Sequence, residues 1–316
     1  MKSEPSIRLG LCCAFLDEPI KFRRTTVKSL SAMGRSSSLE KISKICLDNS
    51  EALFKSLKFC ASNGIGCFRI NSQILPIKTH PKYGYDIYDI PEGKNIVRRF
   101  KECGQYAKIN DIRTCFHPDQ FVVLNSPDPE VVNRSIAELE YQNQVAEWVC
   151  ADVINIHGGG GYGDKSLALS RFARNINRLS VGARRRLTIE NDNRIYTPYD
   201  LLPLCKSENI ALLYDVHHHR CNQDNLSVEE ATEKSIETWD RLPMFHISSP
   251  IEGWNGSNPR RHHDYIDLQD FPDCWRDLKL TIEVEAKAKE VAVIKLHKEL
   301  HKKTKRHDQR NINQKC

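Results

Sequence analysis

The chain is predicted to fold as a closed (β/α)8 barrel, an α/β TIM barrel. Three observations carry that expectation. Eight short apolar or β-branched runs alternate with helix-patterned segments through most of the 316 residues. From the third run to the eighth, each finishes in a histidine or a carboxylate. No fixed-period repeat and no long Gly/Ser/Pro linker divides the chain, so residues 1–296 are read as one domain and 297–316 as a basic, flexible tail.

The runs are RLGLCCA (8–14), IGCFRIN (65–71), RTCFHP (113–118) and VINIHG (153–158), then LTIEND (187–192), ALLYDVHH (211–218), MFHISS (244–249) and LTIEVEA (280–286). Each is short enough for a buried strand. Between the first two, SLEKISKICLDNSEALFKSLKFCASNG starts at a candidate serine cap, Ser38, carries apolar residues three and four apart, and stops near Gly64. DPEVVNRSIAELEYQNQVAEWVCAD opens on the Asp-Pro pair that favours a helix start. LSVEEATEKSIETWD, ahead of the seventh run, follows the same logic. An open doubly wound sheet would concentrate its ligand chemistry at one switch point, whereas a barrel lets every strand contribute to one face.

The polar strand ends favour the barrel. The second run ends in Asn71, with His80 in the loop beyond; the third ends in His117, the fourth in His157 and the fifth in Glu190. The sixth ends in Asp215 and leads to His218, within ALLYDVHHHRC. The seventh carries His246, with His262 and Asp264 in the loop after it, and the eighth ends in Glu285. One histidine at a strand exit is more often a hydrogen-bonded structural residue than a ligand. A set collected at the same end of successive strands has no such explanation, and in a barrel these ends converge where active sites sit.

Imidazoles and carboxylates converging without thiolates suit Mn²⁺, Fe²⁺ or Zn²⁺ better than Mg²⁺ or Ca²⁺. One ion needs three protein ligands and an open position. The eight candidates (His117, His157, Glu190, Asp215, His218, His246, His262 and Glu285) therefore predict two or three ions sharing a carboxylate, with Asp215 and His218 serving different ions. Clustered cations suit in-line displacement at phosphorus.

Composition narrows the rest. With 40% hydrophobic and 28% charged residues the chain is not of the disordered class. No stretch approaches membrane-span length, and MKSEPSIRLG lacks the apolar core of a secretory signal, so a cytoplasmic protein without membrane attachment is expected. The twelve cysteines are scattered and form no CxxC pair, which reads as reduced core residues rather than disulfides or a thiolate zinc site. The net charge of +6 belongs to the tail: Lys295 to Cys316 holds eight Lys/Arg and two Asp/Glu, and the other 294 residues balance. The tail reads as a solvated helix end, with a phosphate-attracting arm as the alternative.

FRINSQILP (68–76), HPDQFVVLNSP (117–127), INIHGGGGYGDK (154–165), LTIENDN (187–193), YDVHHH (214–219), HISSP (246–250) and VEAKAKE (284–290) occur in one order and together resemble the UV damage endonuclease family. Endonuclease IV is its more distant barrel relative, and the likeness runs from about residue 8 to 296. The resemblance implies a metal-dependent DNA repair endonuclease, typically using Mn²⁺ with Zn²⁺ as the alternative. Such an enzyme nicks duplex DNA 5′ to cyclobutane pyrimidine dimers and 6-4 photoproducts, leaving a 3′-hydroxyl and a 5′-phosphate. It implies one ion held by His117, His157 and Glu190, and a second by Glu190, Asp215, His246 and Glu285. A third falls to His218 and His262, the latter chosen over His263 from its R-x-H-x-D-Y-like spacing. Glu190, Asp215 and His218 would carry the chemistry. Gln120 and Phe121 would probe the duplex at the lesion, with Asn71 and His80 grouped with them as DNA-facing residues. No obligate protein partner is indicated.

The chain departs from the family at Met244, where relatives have a carboxylated lysine near the metals, and at Leu11 and Phe15, where some have DNA-facing tyrosine and asparagine. The glycines at 158–161 lack the Lys-Ser/Thr of a P-loop, so they support a phosphate cradle only weakly. Two other readings compete: a metal-dependent sugar isomerase or epimerase on the same barrel, and a damage-binding protein that does not cut.

Overall fold

The structure is a computed structural model; it describes residues 7–313, and side chains through 302. Eight parallel strands close a barrel in chain order: β1 (Ile7–Cys12), β2 (Cys67–Ile70), β3 (Arg113–Phe116), β4 (Val153–His157), β5 (Leu187–Glu190), β6 (Ala211–Asp215), β7 (Met244–Ile247) and β8 (Leu280–Val284). β8 closes onto β1 with Ile7 opposite Leu280 and Leu11 opposite Val284. Each predicted run contains one strand.

Ten α-helices are present among the described residues: α1 (Val27–Ser31), α2 (Arg35–Ser62), α3 (Gly93–Ile109), α4 (Pro129–Val149), α5 (Lys165–Ile176), α6 (Val181–Arg186), α7 (Pro198–Glu208), α8 (Val216–Cys221), α9 (Val228–Ile236) and α10 (Lys289–Asn313). Local chemistry sets several starts. Asp128 caps α4 by accepting from Glu130 N, with Pro129 in the first turn. Ser227 and Glu230 form a reciprocal capping box on α9. The predicted cap at Ser38 is displaced: α2 begins a turn earlier, after Gly34, and the buried Ser38 hydroxyl donates to Leu30 O at 3.2 Å. No described helix is long and apolar enough to cross a membrane.

Strand alternation divides the apolar residues into two sets. Ile154, Ile156, Leu212, Phe245, Ile247 and Ile282 point outward and join the large core beneath the helices. Cys67, Cys115, Val153, Leu213 and Met244 point inward and fill one interior layer. At the N-terminal end of the barrel, Arg113 binds Asp152 (2.8 Å) and Thr281 Oγ1 (3.1 Å). At the C-terminal end the interior turns polar. Gly10 on β1 makes room there: a Cβ at this position would lie 3.1 Å from Cys67 Cβ and 3.3 Å from Glu283 Cγ.

Leu11 is on the outward face and fully buried, while Phe15 packs against Phe59 and Phe68 at centroid distances of 5.3 and 6.1 Å. Both serve the core rather than a DNA-facing surface. Helix α10 runs across the boundary drawn at 296/297, and Leu300 is buried in the core. Most of the basic tail's side chains lie outside the described residues.

Candidate metal centre

Because side chains alternate along a strand, each polar strand end has an inward neighbour two residues earlier. The mouth is built from these pairs, and Glu190 at the end of β5 is its centre. Glu190 is fully buried. One carboxylate oxygen, Oε2, lies 3.0 Å from His117 Nε2 and accepts from Asn155 Nδ2 at 2.5 Å. The other, Oε1, lies 3.2 Å from His218 Nδ1 and 3.2 Å from His246 Nδ1. Strands β4 and β5 pair His157 directly with Glu190. The His157 ring is 5.0 Å from that of His117 and 5.8 Å from that of His218.

Three overlapping sets bring their ligand atoms within 4.8 Å of one another: His117, His157 and Glu190; Glu190, Asp215 and His218; and Asp215, His246 and Glu285. His262 stands further out, with Nδ1 3.8 Å from Glu285 Oε2 and its ring 6.3 Å from that of His218. His263 turns away; its Nδ1 accepts from Tyr265 N. Asp264 is exposed and joins none of these sets.

The three consecutive histidines, expected at the exit of the sixth strand, lie there on the short helix α8. β6 stops at Asp215 because that carboxylate caps α8, accepting from His218 N at 2.7 Å. The helix then splits their roles. His218 faces Glu190. His217 contacts the rings of His262 (5.0 Å) and Trp254 (5.2 Å). His219 is held between Tyr214 Oη (2.8 Å) and Asp224 Oδ1 (3.0 Å), away from the mouth.

The electrostatics are those of a cation site. Burial opposes charge on Glu190, yet His246 and His157, with hydrogen bonds from His117 and His218, hold its carboxyl well below the usual range. Glu285 is likewise held low, because Arg69 and His246 outweigh its burial. Burial alone would lower His218, but Asp215 and Glu190 bring the ring up to about 10, and His246 is raised in the same way by Glu190 and Glu285. His157 and His217 stay neutral, chiefly through burial, His217 falling to about 4. Two buried polar atoms in these sets, His157 Nδ1 and Asp215 Oδ2, have no hydrogen-bond partner. Buried unpaired polar atoms are costly, and a divalent ion would satisfy both. The donor set, nitrogen and carboxylate oxygen only, fits Mn²⁺, Fe²⁺ or Zn²⁺.

Sequence reasoning missed Arg69, Asn155 and Glu283. All three are buried inward residues one step down from a mouth residue. Their signal was a polar side chain inside an otherwise apolar strand. Met244 lies one step below His246, in the interior layer with Cys67, Cys115, Val153 and Leu213, so it has no part in the ligand sets.

Beside the centre runs a groove of about 1780 Å³, with His157 and His218 among its lining. Gln120, Phe121, His80, Tyr162 and Arg194 also line it. Phe121 is 76% exposed, which excludes ordinary loop packing. His80 Nδ1 accepts from Lys82 N and Tyr83 N, so the loop fixes its ring. Asn71 is buried and caps its own turn through Gln73 N, outside the groove lining. In the glycine-rich loop, Gly159 has φ +82° and a Cβ there would lie 2.2 Å from Asn125 Oδ1, so close backbone packing accounts for that glycine.

A family model described as UV-endonuclease UvdE matches residues 7–314. The UV DNA damage endonuclease of Bacillus pumilus (strain SAFR-032) is 33% identical over 260 residues, 78% of this chain and 78% of that protein. The crystal structure of SacUVDE matches with a TM-score of 0.82 and 28% identity, over 94% of this chain and 99% of the other. Endonuclease IV from Thermus thermophilus shares the fold, with a TM-score of 0.61 and 13% identity over 94% of this chain and 99% of that one. On a match of this length, carried by both sequence and barrel, the chain belongs to the UV-endonuclease UvdE family.

Proposed function

We propose that this protein is a DNA repair endonuclease that nicks duplex DNA on the 5′ side of UV photoproducts by hydrolysis assisted by divalent cations, Mn²⁺ being the favoured ion. The observation that carries this reading is Glu190, buried at the junction of the ligand sets beside a groove whose rim carries an exposed aromatic residue. His117, His157 and Glu190 would hold one ion, and Glu190, Asp215, His246 and Glu285 a second. His218 and His262 would face a third. When bound, the ions would supply positive charge to the scissile phosphate and acidify the attacking water.

The chain's own residues do the rest. Glu190 keeps its charge in a dry site because the nitrogens of His117, Asn155, His218 and His246 converge on it. The His117 ring donates from Nδ1 to Pro118 O at 3.0 Å, which leaves Nε2 directed at Glu190. At the rim, Phe121 can fill the gap left by weakly stacked, displaced bases, while the neighbouring Gln120 amide can donate to and accept from base edges. A damaged step costs least to open, so a wedge favours lesions over intact duplex. Eleven described cysteines are free, which supports placement in a reducing compartment such as the cytoplasm.

The test is nicking of UV-irradiated and unirradiated supercoiled plasmid, with Mn²⁺ and with chelator, followed by analysis of the ends. Nicking confined to irradiated plasmid, dependent on metal and leaving a 3′-hydroxyl and 5′-phosphate 5′ to the lesion, is expected. Metal-dependent cutting of both plasmids alike would overturn the lesion specificity. Cation binding without any cutting would favour a damage-binding protein.

A further inference from the structure

Arg69 on β2 and Glu283 on β8 lie below the ligand residues and have no task in the reading above. Both are buried, at 7% and 1% exposure. Glu283 Oε2 accepts from Arg69 Nε (3.0 Å) and Nη2 (2.7 Å), and lies 2.8 Å from His246 Nε2. Its other oxygen, Oε1, accepts from Cys115 Sγ at 3.1 Å. Arg69 Nη1 continues to Glu285 Oε1 at 2.7 Å. One guanidinium thus spans two carboxylates two residues apart, and the lower carboxylate reaches the far nitrogen of His246.

We propose that Arg69 and Glu283 are positioning residues for the metal centre: Glu283 fixes the tautomer of His246, and Arg69 fixes the direction of Glu283 and Glu285. The inference rests on the reading of the cluster as a metal centre. A neutral imidazole carries one N–H and one lone pair, and only the lone pair binds a cation. Around His246 Nδ1 stand Glu190 Oε1 (3.2 Å), Glu285 Oε1 (3.5 Å) and Asp215 Oδ2 (3.8 Å). Beside Nε2 stands Glu283, a carboxylate that can only accept. Arg69 Nη2, one of whose two N–H groups goes to Glu283, also lies 2.7 Å from Nε2. With the ligand-set carboxylates, and so the cation, on the Nδ1 side, the one proton of the neutral ring belongs on Nε2, where Glu283 accepts it, as in carboxylate–histidine–metal arrangements.

Arg69 is needed because Glu283 and Glu285 project from the same face of one strand into a dry interior, where two unneutralised carboxylates would repel and splay. Gly10 completes the device, since its missing side chain admits Glu283. A pair kept for folding alone would need no third partner at a candidate ligand histidine, and buried ion pairs are often no more stabilising than apolar replacements.

The experiment uses the full chain with Glu283→Gln, and with Arg69→Met combined with Glu283→Gln so that one charge of each sign is removed. Mn²⁺ binding is followed by the EPR signal of free Mn²⁺. The rings are followed by long-range ¹H–¹⁵N spectra of the diamagnetic Zn²⁺-loaded protein, His246→Gln assigning the ring. Both variants are expected to bind Mn²⁺ about 10- to 100-fold more weakly at the His246 site. The His246 signal should move from a single Nε2–H ring with Nδ1 engaged toward a mixture containing Nδ1–H. Wild-type affinity within twofold and an unchanged ring spectrum, with only a lower melting temperature, would reduce the pair to a structural one and overturn the inference. A wild-type chain that binds no Mn²⁺ would instead overturn the metal reading beneath it.

Discussion

Glu190→Gln removes one charge from the point where the ligand sets meet, and its consequences can be worked from the contacts. Glutamine keeps the shape and one acceptor oxygen. Its amide nitrogen must then face either His117 and Asn155 or His218 and His246, each pair within 2.5–3.2 Å of the present oxygens. Two contacts to an ionised partner are lost, each worth about 1.5–3 kcal/mol. The sum, about 3–6 kcal/mol, agrees with the roughly 3–5 kcal/mol for breaking a buried ion pair by removing one member. The metal-free variant should therefore melt lower by on the order of 10 °C. Loading suffers separately, because two proposed ion sites share this residue. Taking the tenfold to hundredfold loss seen for supporting residues as a floor for each, nicking should fall by about 10²- to 10⁴-fold at fixed Mn²⁺. Single-turnover nicking of irradiated plasmid, alongside an EPR titration of Mn²⁺, reads both effects. Nicking within tenfold of wild type with an unchanged titration would refute Glu190 as the shared ligand.

Phe121→Ala should reduce discrimination between irradiated and intact duplex severalfold while leaving Mn²⁺ stoichiometry unchanged; loss of metal would show that the exposed ring supports the fold instead. His218, brought up to about 10 by Asp215 and Glu190 against its burial, should be protonated at neutral pH in the metal-free chain, as should His246. A raised folded-state pKa contributes stability that is complete below the unfolded value near 6.5 and lost as pH rises through about 10. Mn²⁺ affinity should therefore climb between about pH 6.5 and 9, and calorimetry in buffers of differing ionisation enthalpy should register proton release. Zero net proton exchange would count against charged rings in the metal-free state. Truncation after Lys302 spares buried Leu300 and removes five Lys/Arg and one Asp. It should flatten the salt dependence of DNA binding by about 0.9 in log–log slope per lost phosphate contact, and an unchanged slope would mean the tail touches no phosphate.

How much of this was legible follows from strand periodicity. The eight runs stand out because a strand buried on both faces is nearly continuous in apolar residues, and the barrel supplies both faces. Polar residues ending those runs are visible as interruptions, so His117, His157, Glu190, Asp215, His246 and Glu285 could be gathered from the sequence. Elements whose ends are decided by one hydrogen bond were less legible. Asp215 stops β6 and starts α8 with the same carboxylate, and Ser38 turns inward to Leu30 instead of capping α2. Arg69, Asn155 and Glu283 were hidden for another reason. Their value lies in which side chain the barrel's stagger sets beside them, as when β7 and β8 pair His246 with Glu283. Met244 reads as a missing ligand next to His246 in sequence, yet one step down the same face is a different layer of the interior.

The charge balance of the centre adds a reason for cations that precedes the chemistry. Glu190, Asp215, Glu283 and Glu285 stand against Arg69 and the imidazolium rings of His218 and His246, which leaves one net negative charge around buried groups. A phosphodiester approaching this mouth would be repelled in a medium that screens poorly. The body of the chain offers no general attraction, since outside Lys295 to Cys316 its charges cancel. Exchanging the two ring protons for two divalent cations changes the centre from one net negative charge to one net positive, and a third ion would raise it further. In this arrangement the ions first make the mouth a place where a phosphate can sit. On the proposed reading, Phe121 and Gln120 on the groove's rim would meet a distorted duplex whatever the state of the centre, so damage recognition and phosphate seating would be separable steps carried by different residues.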